Sequence, residues 1–452
     1  MDDIGMDLAR AGLTRREALA GIGGTMLVAA APPVFAASAI AHLQPLRAAA
    51  REAYLYTLPL IESAASRAGA ARSSAINDLA RVRNLMSPAT QRVTTPNNDT
   101  LNARGWIDLA TGPVKLHLPA TGERYISVAL LDFYSNNFAV LGSRTTGPDG
   151  GVFTVIGPDH PALPGAIRSP TRWVLVIFRV LTTGGADIDA ARAIQDQCRL
   201  EAVRWEGSLS AYAARDAGWA AYFATATRLL QENPPPVTDQ ALLRRAAAAG
   251  LLPFDEARFG SAEGAQIEGG MDDALRHLAS GGESGLSVNG WAYPRPTFGN
   301  FRQDYAYRAQ IALSGYGGLP VEEAVYLYGS GKDGSMRYDS EQSWRLRLSS
   351  DSLPPVDGFW SLTIYRATAD GQFFLFDNPR GSNAIGDRTA GLRRLDGAIE
   401  IDISREPPAR ADGANWLPAP RDAPFGLLFR AYRPRAPILD GRWRLPPVEL
   451  LG

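Results

Sequence analysis

The chain has 452 residues, 46 Lys+Arg against 47 Asp+Glu, and one cysteine. That length suffices for two domains with cores of their own, and the balanced charge, with no long basic run, excludes a nucleic-acid footprint. A lone thiol closes no internal disulfide, so packing must hold the fold.

The N-terminus reads as an export address. Thr14-Arg15-Arg16-Glu17-Ala18-Leu19 places a twin-arginine pair ahead of the Gly- and Ala-rich run Gly21–Phe35. That run is too short, and too interrupted by Pro32 and Pro33, to make a good spanning helix. Val34-Phe35-Ala36 and Ala37-Ser38-Ala39 both have the spacing a signal peptidase accepts. Residues 1–36 are therefore expected to be a signal peptide read by the twin-arginine translocation machinery. The mature chain is expected in the periplasm or secreted, with no permanent membrane span.

Leu43–Ala68 carries apolar and aromatic residues at helical spacing, with Pro59 expected to kink or restart the helix. Ala75–Leu85 reads as a short helix or loop. The period then changes. WIDLATGPVKLHLP, RYISVALLDFY, NNFAVLGSRTTG, GVFTVIGP and RWVLVIFRVL are strand-length runs punctuated by Gly, Pro and Asp, predicting a barrel or sandwich over about Asn98–Leu181. Helical spacing returns from Asp187 to about Ser280 in DIDAARAIQDQCRLEAVRW and LSAYAARDAGWAAYFATATRLLQ. Asp187 is a candidate cap there, as are Thr238 and Asp239 for the next helix, and Cys198 reads as a buried helix-face residue. Gly281–Asn289 reads as a linker and FRQDYAYRAQIALSGYGG as a last helix. A second β-rich block runs from about Val325 to Arg444. The fold class expected is mainly β with a helical middle segment and two β-rich, barrel- or sandwich-like domains. The divisions fall at 1–36, 37–186, 187–300 and 301–452.

The four histidines, His42, His117, His160 and His277, form no HxxH, HxH or HExxH pair, so a histidine-built metal site is not expected. The sequence has no GxSxG elbow and no strand–GxGxxG–helix unit, and no cofactor is expected. Candidate chemistry falls in two clusters. In the first, Asn97-Asn98-Asp99-Thr100 stands between Pro96 and the first long strand. Such a run either closes an Asx turn on its own backbone or points Asn98 and Asp99 into a barrel mouth, where a carboxylate can act as a base. Strand periodicity puts Asp132 and Tyr134 on one face, with Asn136 and Asn137 beyond. Arg144 offers a bidentate fork to Asp99, Asp132 or an anionic group. In the second cluster, Tyr305 and Arg308 share a helix face beside Tyr307, and Trp360 and Tyr365 lie on one strand. Asp387 and Arg388 close IGDR, while Asn415 and Trp416 open NWLPAP. These residue types suit a small polar or carbohydrate-like ligand at a domain junction. They equally serve packing and loop hydrogen bonds.

PNNDTL, LLDFYSNNFAVLGSRTTG, FTVIGP and SPTRWVLVIFR resemble the domain of unknown function DUF1254. VEEAVYLYG, LPPVDGFWSLTIYR, IGDR, NWLPAPRDAPFGLLFRAYRP and GRWRLPPV resemble its usual C-terminal partner, DUF1214. The resemblance spans about Arg51–Pro447. It implies a β-rich N-terminal domain, a helical connection and a C-terminal β-sandwich, and no particular reaction. The matching positions include Asn97, Asn98, Asp99, Asp132, Tyr134, Arg144, Trp360, Asp387, Arg388, Asn415 and Trp416. Two departures stand out. Ile364-Tyr365-Arg366 replaces a Met-Tyr-Asp, and Gly381-Ser382-Asn383-Ala384 replaces an Asn-Arg-Tyr-Ser ahead of IGDR.

The functional expectation is an exported, metal-independent hydrolase or lyase acting on a small polar or carbohydrate-like molecule. Asp99 or Asp132 would be the base, and Arg144 or Arg308 would stabilise developing negative charge. Asn97, Asn98, Tyr134, Tyr305, Trp360, Tyr365, Arg388, Asn415 and Trp416 would bind the substrate. Two alternatives stand beside it: a non-catalytic ligand-binding or envelope-scaffold protein, and a Ca²⁺- or Mg²⁺-dependent enzyme with oxygen ligands from Asp99, Asp132 and asparagine carbonyls. A homo-oligomer is left open.

Overall fold

A computed structural model describes residues 33–72, 76–89, 94–281, 283, 285–331, 334–409 and 415–451, with side chains from Pro45 onward. The twin-arginine pair lies outside these residues. No helix among them is long and apolar enough to cross a membrane.

Six helices matter for the site: α1 (Pro33–Arg72), α2 (Ile188–Gln197), α3 (Trp219–Glu232), α4 (Gln240–Ala248), α5 (Ser261–Ala279) and α6 (Tyr305–Ser314). α1 runs unbroken through Pro59, so the expected restart does not occur. Every residue from Ala53 to Ala64 is buried, because α1 packs against α3, α4, α5 and α6 at once. A helix enclosed on all sides needs no single apolar stripe. α1 thus belongs to one layer with the helices of the middle segment.

The N-terminal β-region is a sandwich. Its larger sheet orders the strands Ala80–Arg81, Thr100–Asp108, Trp173–Leu181, Ile126–Leu131 and Asn137–Gly142, all antiparallel. The smaller sheet orders Ile167–Arg168, Gly151–Ile156, Val114–Leu118 and Arg199–Glu201. The central strand Trp173–Leu181 shows how the layers stack. Val174, Val176, Phe178 and Val180 enter the core between the sheets, while Trp173, Leu175, Ile177 and Leu181 enter the core shared with the helices. A strand buried on both faces reads as an uninterrupted apolar run, as RWVLVIFRVL does.

The C-terminal region is a second sandwich. One sheet orders Ser287–Val288, Trp291–Ala292, Ala324–Gly329, Phe425–Tyr432, Trp360–Ala367 and Phe373–Phe374, with Ala384–Gly386 also paired to Trp360–Ala367. The facing sheet orders Asn415–Pro418, Ile399–Ser404, Ser343–Leu348 and Val448–Leu451. Trp360, Leu362, Ile364, Leu427 and Phe429 fill the core between them. Alternation turns Ser361, Thr363, Tyr365, Leu428, Arg430 and Tyr432 to the opposite face. That second face is largely polar and meets the N-terminal region.

Several local expectations are corrected. Of the stretch expected as a short helix or loop, the described residues Ile76–Leu85 are loop with the short strand Ala80–Arg81, and the chain between Ala202 and Gly218 is irregular, with α3 starting only at Trp219. The predicted linker Gly281–Asn289 contributes the strand Ser287–Val288. Asp187 stands at the α2 N-cap without a side-chain cap bond; its carboxylate instead takes Nη1 of Arg124 at 2.8 Å. Asp239 likewise caps nothing and is occupied by two tyrosines. Asp187 keeps a local bond, from the Thr183 amide at 2.9 Å, while its charge is matched by Arg124, and Asp239 gives its oxygens to tyrosines of two other helices. Cys198 is buried at the end of α2, and burial pushes its thiol up to about 12.

Candidate functional site

The Pro96–Thr100 turn forms as an Asx turn, but Asn97 closes it. Its Oδ1 accepts from the amides of Asp99 at 2.8 Å and Thr100 at 3.1 Å, and its Nδ2 donates to the Tyr432 hydroxyl at 2.8 Å. Because Asn97 satisfies the turn, the Asp99 side chain is free to cross to the polar face of the C-terminal sheet. There its Oδ2 accepts from Ser361 Oγ at 2.9 Å and Tyr432 Oη at 3.2 Å. No described group bonds Oδ1 of Asp99. Burial raises the Asp99 pKa, against the opposing pull of Arg430 and the two hydroxyls. Burial also raises that of Asp387, whose neighbours include the Asp99 charge. Oδ1 of Asp387 accepts from the Trp360 amide at 3.1 Å, one residue from Ser361. Two carboxylates of elevated pKa therefore flank Ser361.

Arg430 is fully enclosed beside them. It donates to Thr363 Oγ1 at 3.0 Å, to Tyr365 Oη at 2.9 Å and to the Thr95 carbonyl at 3.1 Å. Tyr365 in turn donates to the Pro96 carbonyl at 2.9 Å. The network continues through aromatic contact, with the Tyr432 and Tyr125 ring centroids 5.5 Å apart. Tyr125 donates to Glu323 Oε1 at 2.8 Å, and Arg144 Nε pairs with Glu323 Oε2 at 2.6 Å. Arg144 thus takes neither Asp99 nor Asp132. Glu323, buried at the head of the Ala324–Gly329 strand, is the better-placed carboxylate.

Asp132 and Arg308 meet elsewhere. The Ile126–Leu131 strand ends before Asp132, so Asp132 and Tyr134 belong to a turn and not to a strand face. Oδ1 of Asp132 accepts from the amides of Tyr134 and Asn136, both at 2.9 Å, and Oδ2 from Asn136 Nδ2 at 3.2 Å. Burial still lifts its pKa to about 6 against these bonds and the Arg308 charge. Arg308 is 1% exposed, and its guanidinium lies 5.1–5.3 Å from the ring centroids of Tyr56, Tyr134 and Tyr305. The hydroxyls of Tyr56 and Tyr305 converge on Asp239 at 2.9 and 2.8 Å. With Asp99 and Asp132 in separate networks, the oxygen-ligand set imagined for Ca²⁺ or Mg²⁺ does not assemble. No group of three or more His, Cys, Asp and Glu side chains among the described residues could hold a metal ion.

The remaining candidates scatter. Trp360 is core, stacked on Phe429 at 5.6 Å. Asn415 is committed to the backbone of Arg393 and Glu400. Arg388 is exposed and holds the Gly358 carbonyl. Asn98 stands beside Asp99 with its buried Oδ1 unbonded, and Asn137 ties the Gly299 and Gly318 carbonyls. Trp416 and Asn415 line a cleft of about 360 Å³ with Arg380 and Arg393. A larger hollow of about 1020 Å³ lies among α1, α4, α5 and α6, with Tyr305 in its wall. The Arg366 departure is a surface pair with Asp422, Nη2 to Oδ2 2.8 Å.

The sequence reading missed Ser361, Arg430, Tyr432 and Glu323. A usable signal was present: GLLFRAY carries one arginine, and RWVLVIFRVL one internal arginine, inside strands that are otherwise apolar. A charge fixed within a buried strand must face a compensating partner or a ligand.

Comparison with known proteins places this architecture. Residues 76–202 match the model for the protein of unknown function DUF1254, and residues 323–436 that for DUF1214. The chain belongs to the proteins that carry these two domains. The VPA0106 protein from Vibrio parahaemolyticus shares the fold with a TM-score of 0.69 at 21% identity, covering 90% of this chain and 100% of that one. An uncharacterized protein from Burkholderia cenocepacia aligns at 11% identity over 92% of this chain and 98% of its own, with a TM-score of 0.45. No curated protein matches the sequence.

Proposed function

We propose that the protein is an exported acid–base enzyme, a hydrolase or lyase, whose site is the polar junction between its two sandwiches. The observation that carries this reading is Asp99. One of its oxygens is held by Ser361 and Tyr432, the other is bonded by no described group, and burial raises its pKa. Such a carboxyl is held in one orientation, keeps one oxygen for a further partner and has its pKa raised by burial, which is what a proton-transfer group needs. Asp387 is the second carboxyl of the pair, and Arg430 replaces Arg144 and Arg308 as the nearby cation. Asp99 takes a proton from water or from substrate carbon, and Asp387 supplies one to the departing group. The twin-arginine leader puts this chemistry in the periplasm or outside the cell.

Wild-type protein should be screened on p-nitrophenyl esters and glycosides and on small hydroxy acids. Asp99→Asn should reduce turnover by roughly 10²–10⁴, measured on protein confirmed to be folded at the assay temperature. Full turnover in that variant would remove Asp99 from the chemistry. A second reading, binding without turnover, draws on the cleft lined by Arg380, Arg393, Asn415 and Trp416, where Arg380 Nη1 donates to the Trp416 carbonyl at 2.7 Å. Saturable binding of a small anion abolished by Arg380→Gln, with no turnover of any screened compound, would favour it.

A further inference from the structure

The face that the larger N-terminal sheet turns toward the junction carries a row of donors that the acid–base reading does not use. Asn102, Arg179 and Ser127 are directly opposite one another on three adjacent strands. Cross-strand partners share a face, so their side chains line up side by side. Each has a polar group that no described residue bonds. Arg179 is 9% exposed and donates through Nη2 to the Gly317 carbonyl at 2.6 Å, while its Nη1 is buried without a partner. Ser127 is fully buried with an unbonded Oγ. The Tyr125 hydroxyl, its neighbour on the same face, donates to Glu323 and lies close enough to the Ser127 hydroxyl for Ser127 to lower its pKa against the burial that raises it, though the two make no hydrogen bond of good geometry. Asn102 uses its Oδ1 to accept from Thr100, and its Nδ2 has no bond among the described residues.

An arginine inside a protein with no carboxylate against it is costly, because its charge has left water without compensation. No ion pair to Arg179 exists among the described residues. The row also abuts the proposed catalytic groups: Thr100 Oγ1 donates to Asn102 Oδ1 at 3.1 Å and lies 3.4 Å from Oδ1 of Asn97, which closes the Asp99 turn, and the Tyr326 hydroxyl lies under the charges of both Arg179 and Arg430. Tyr432, which bonds Asp99, in turn feels Tyr326.

We infer that the substrate of the junction site bears a carboxylate, and that Arg179 receives it with Ser127 and Asn102 as flanking donors. This assignment rests on the reading of Asp99 as the proton-transfer group and specifies what that group acts upon. One guanidinium edge with two neutral donors suits the single charge and two oxygens of a carboxylate. A phosphate dianion would call for more cationic partners. Arg179 is a substrate-binding residue in this scheme. Adjacent strands are about 4.8 Å apart, so a row of three spans about 10 Å, which bounds the ligand to a small molecule.

The test uses the full chain and defined probes: acetate, lactate, succinate, inorganic phosphate and acetamide, each at constant ionic strength, read by thermal shift and calorimetry. The expected result is saturable binding of at least one carboxylate and none of acetamide. Arg179→Gln should weaken that binding at least tenfold, and Ser127→Ala, a milder change should Arg179→Gln fail to fold, several-fold. Asp99→Asn should retain it, since that variant alters proton transfer and leaves the anion's partners in place. Absence of saturable carboxylate binding, equal binding by wild type and the Arg179 and Ser127 variants, or preference for phosphate would each overturn the assignment. Loss of turnover in Asp99→Asn with carboxylate binding intact separates the two claims, because it tests the base alone.

Discussion

At the scale of single residues, Asp99 and Asp132 illustrate how the same side chain acquires different work. Asp132 spends both oxygens on the turn that joins two strands, whereas Asp99 is relieved of that duty by Asn97. The Asp132 pKa, about 6 when folded against an ordinary 3.8, makes a pH prediction. A carboxyl whose folded pKa is raised stabilises the fold fully below the unfolded value and loses that contribution as pH climbs through the folded one. Wild-type stability should therefore fall by roughly 3 kcal/mol between pH 3.8 and pH 6 on account of this group. Asp132→Asn should flatten that portion of the curve in urea titrations across pH; an unchanged slope would mean the carboxyl ionises freely. For Asp99, Tyr432→Phe removes a hydroxyl that lowers its pKa. The ascending limb of the pH–rate profile should shift upward, with the remaining Ser361 bond preserving activity at alkaline pH.

At the scale of elements, the strand Trp173–Leu181 supports two cores at once. Leu175→Ala, facing the helices, should cost about 2–5 kcal/mol, and Phe178→Ala, facing the smaller sheet, about 3–5 kcal/mol. Both losses should be visible in denaturant midpoints; a near-neutral result on either side would show that face to be solvated. The helix α1 makes a parallel case. Tyr56 and Tyr305, on α1 and α6, share Asp239 at the start of α4, so one carboxylate joins three helices. Tyr56→Phe leaves Asp239 one donor short and should cost about 1–3 kcal/mol, measured by thermal unfolding.

At the scale of the whole molecule, the two sandwiches are joined by a buried polar cluster set beside aromatic packing of Tyr125 on Phe359 and Tyr432. Arg430, Asp99, Ser361, Tyr365 and Tyr432 interlock the Pro96 turn with the C-terminal sheet, and Glu323 ties Tyr125 and Arg144 to the same region. Breaking such a buried cluster by removing one charge is strongly destabilising, on the order of 3–5 kcal/mol. Arg430→Met should therefore weaken the junction more than either core. Calorimetry should resolve its unfolding into two transitions where the wild type shows one, and a single unshifted endotherm would place the coupling elsewhere.

The two β-rich regions and the helical middle were legible in the sequence because periodicity of two and of roughly 3.6 residues records which faces are buried. The lone cysteine, unable to form an internal disulfide, and an Asx turn as one of two outcomes for Asn97–Thr100 were legible for similarly local reasons. What periodicity does not carry is which surface covers which. The strand Trp360–Ala367 shows one residue set to its own core and the alternate set to the other domain, and nothing within the strand says that Ser361 will find Asp99, 262 positions away. Arg144 chose Glu323, and Asp187 chose Arg124, because tertiary proximity offered charged partners that local geometry could not anticipate. By itself, then, the sequence determined the elements and the turn that presents Asp99. Only the docking of two sandwiches, an event set by long-range packing, decided which hydroxyls hold that carboxylate and that Arg179 would lie beside them without a counter-charge.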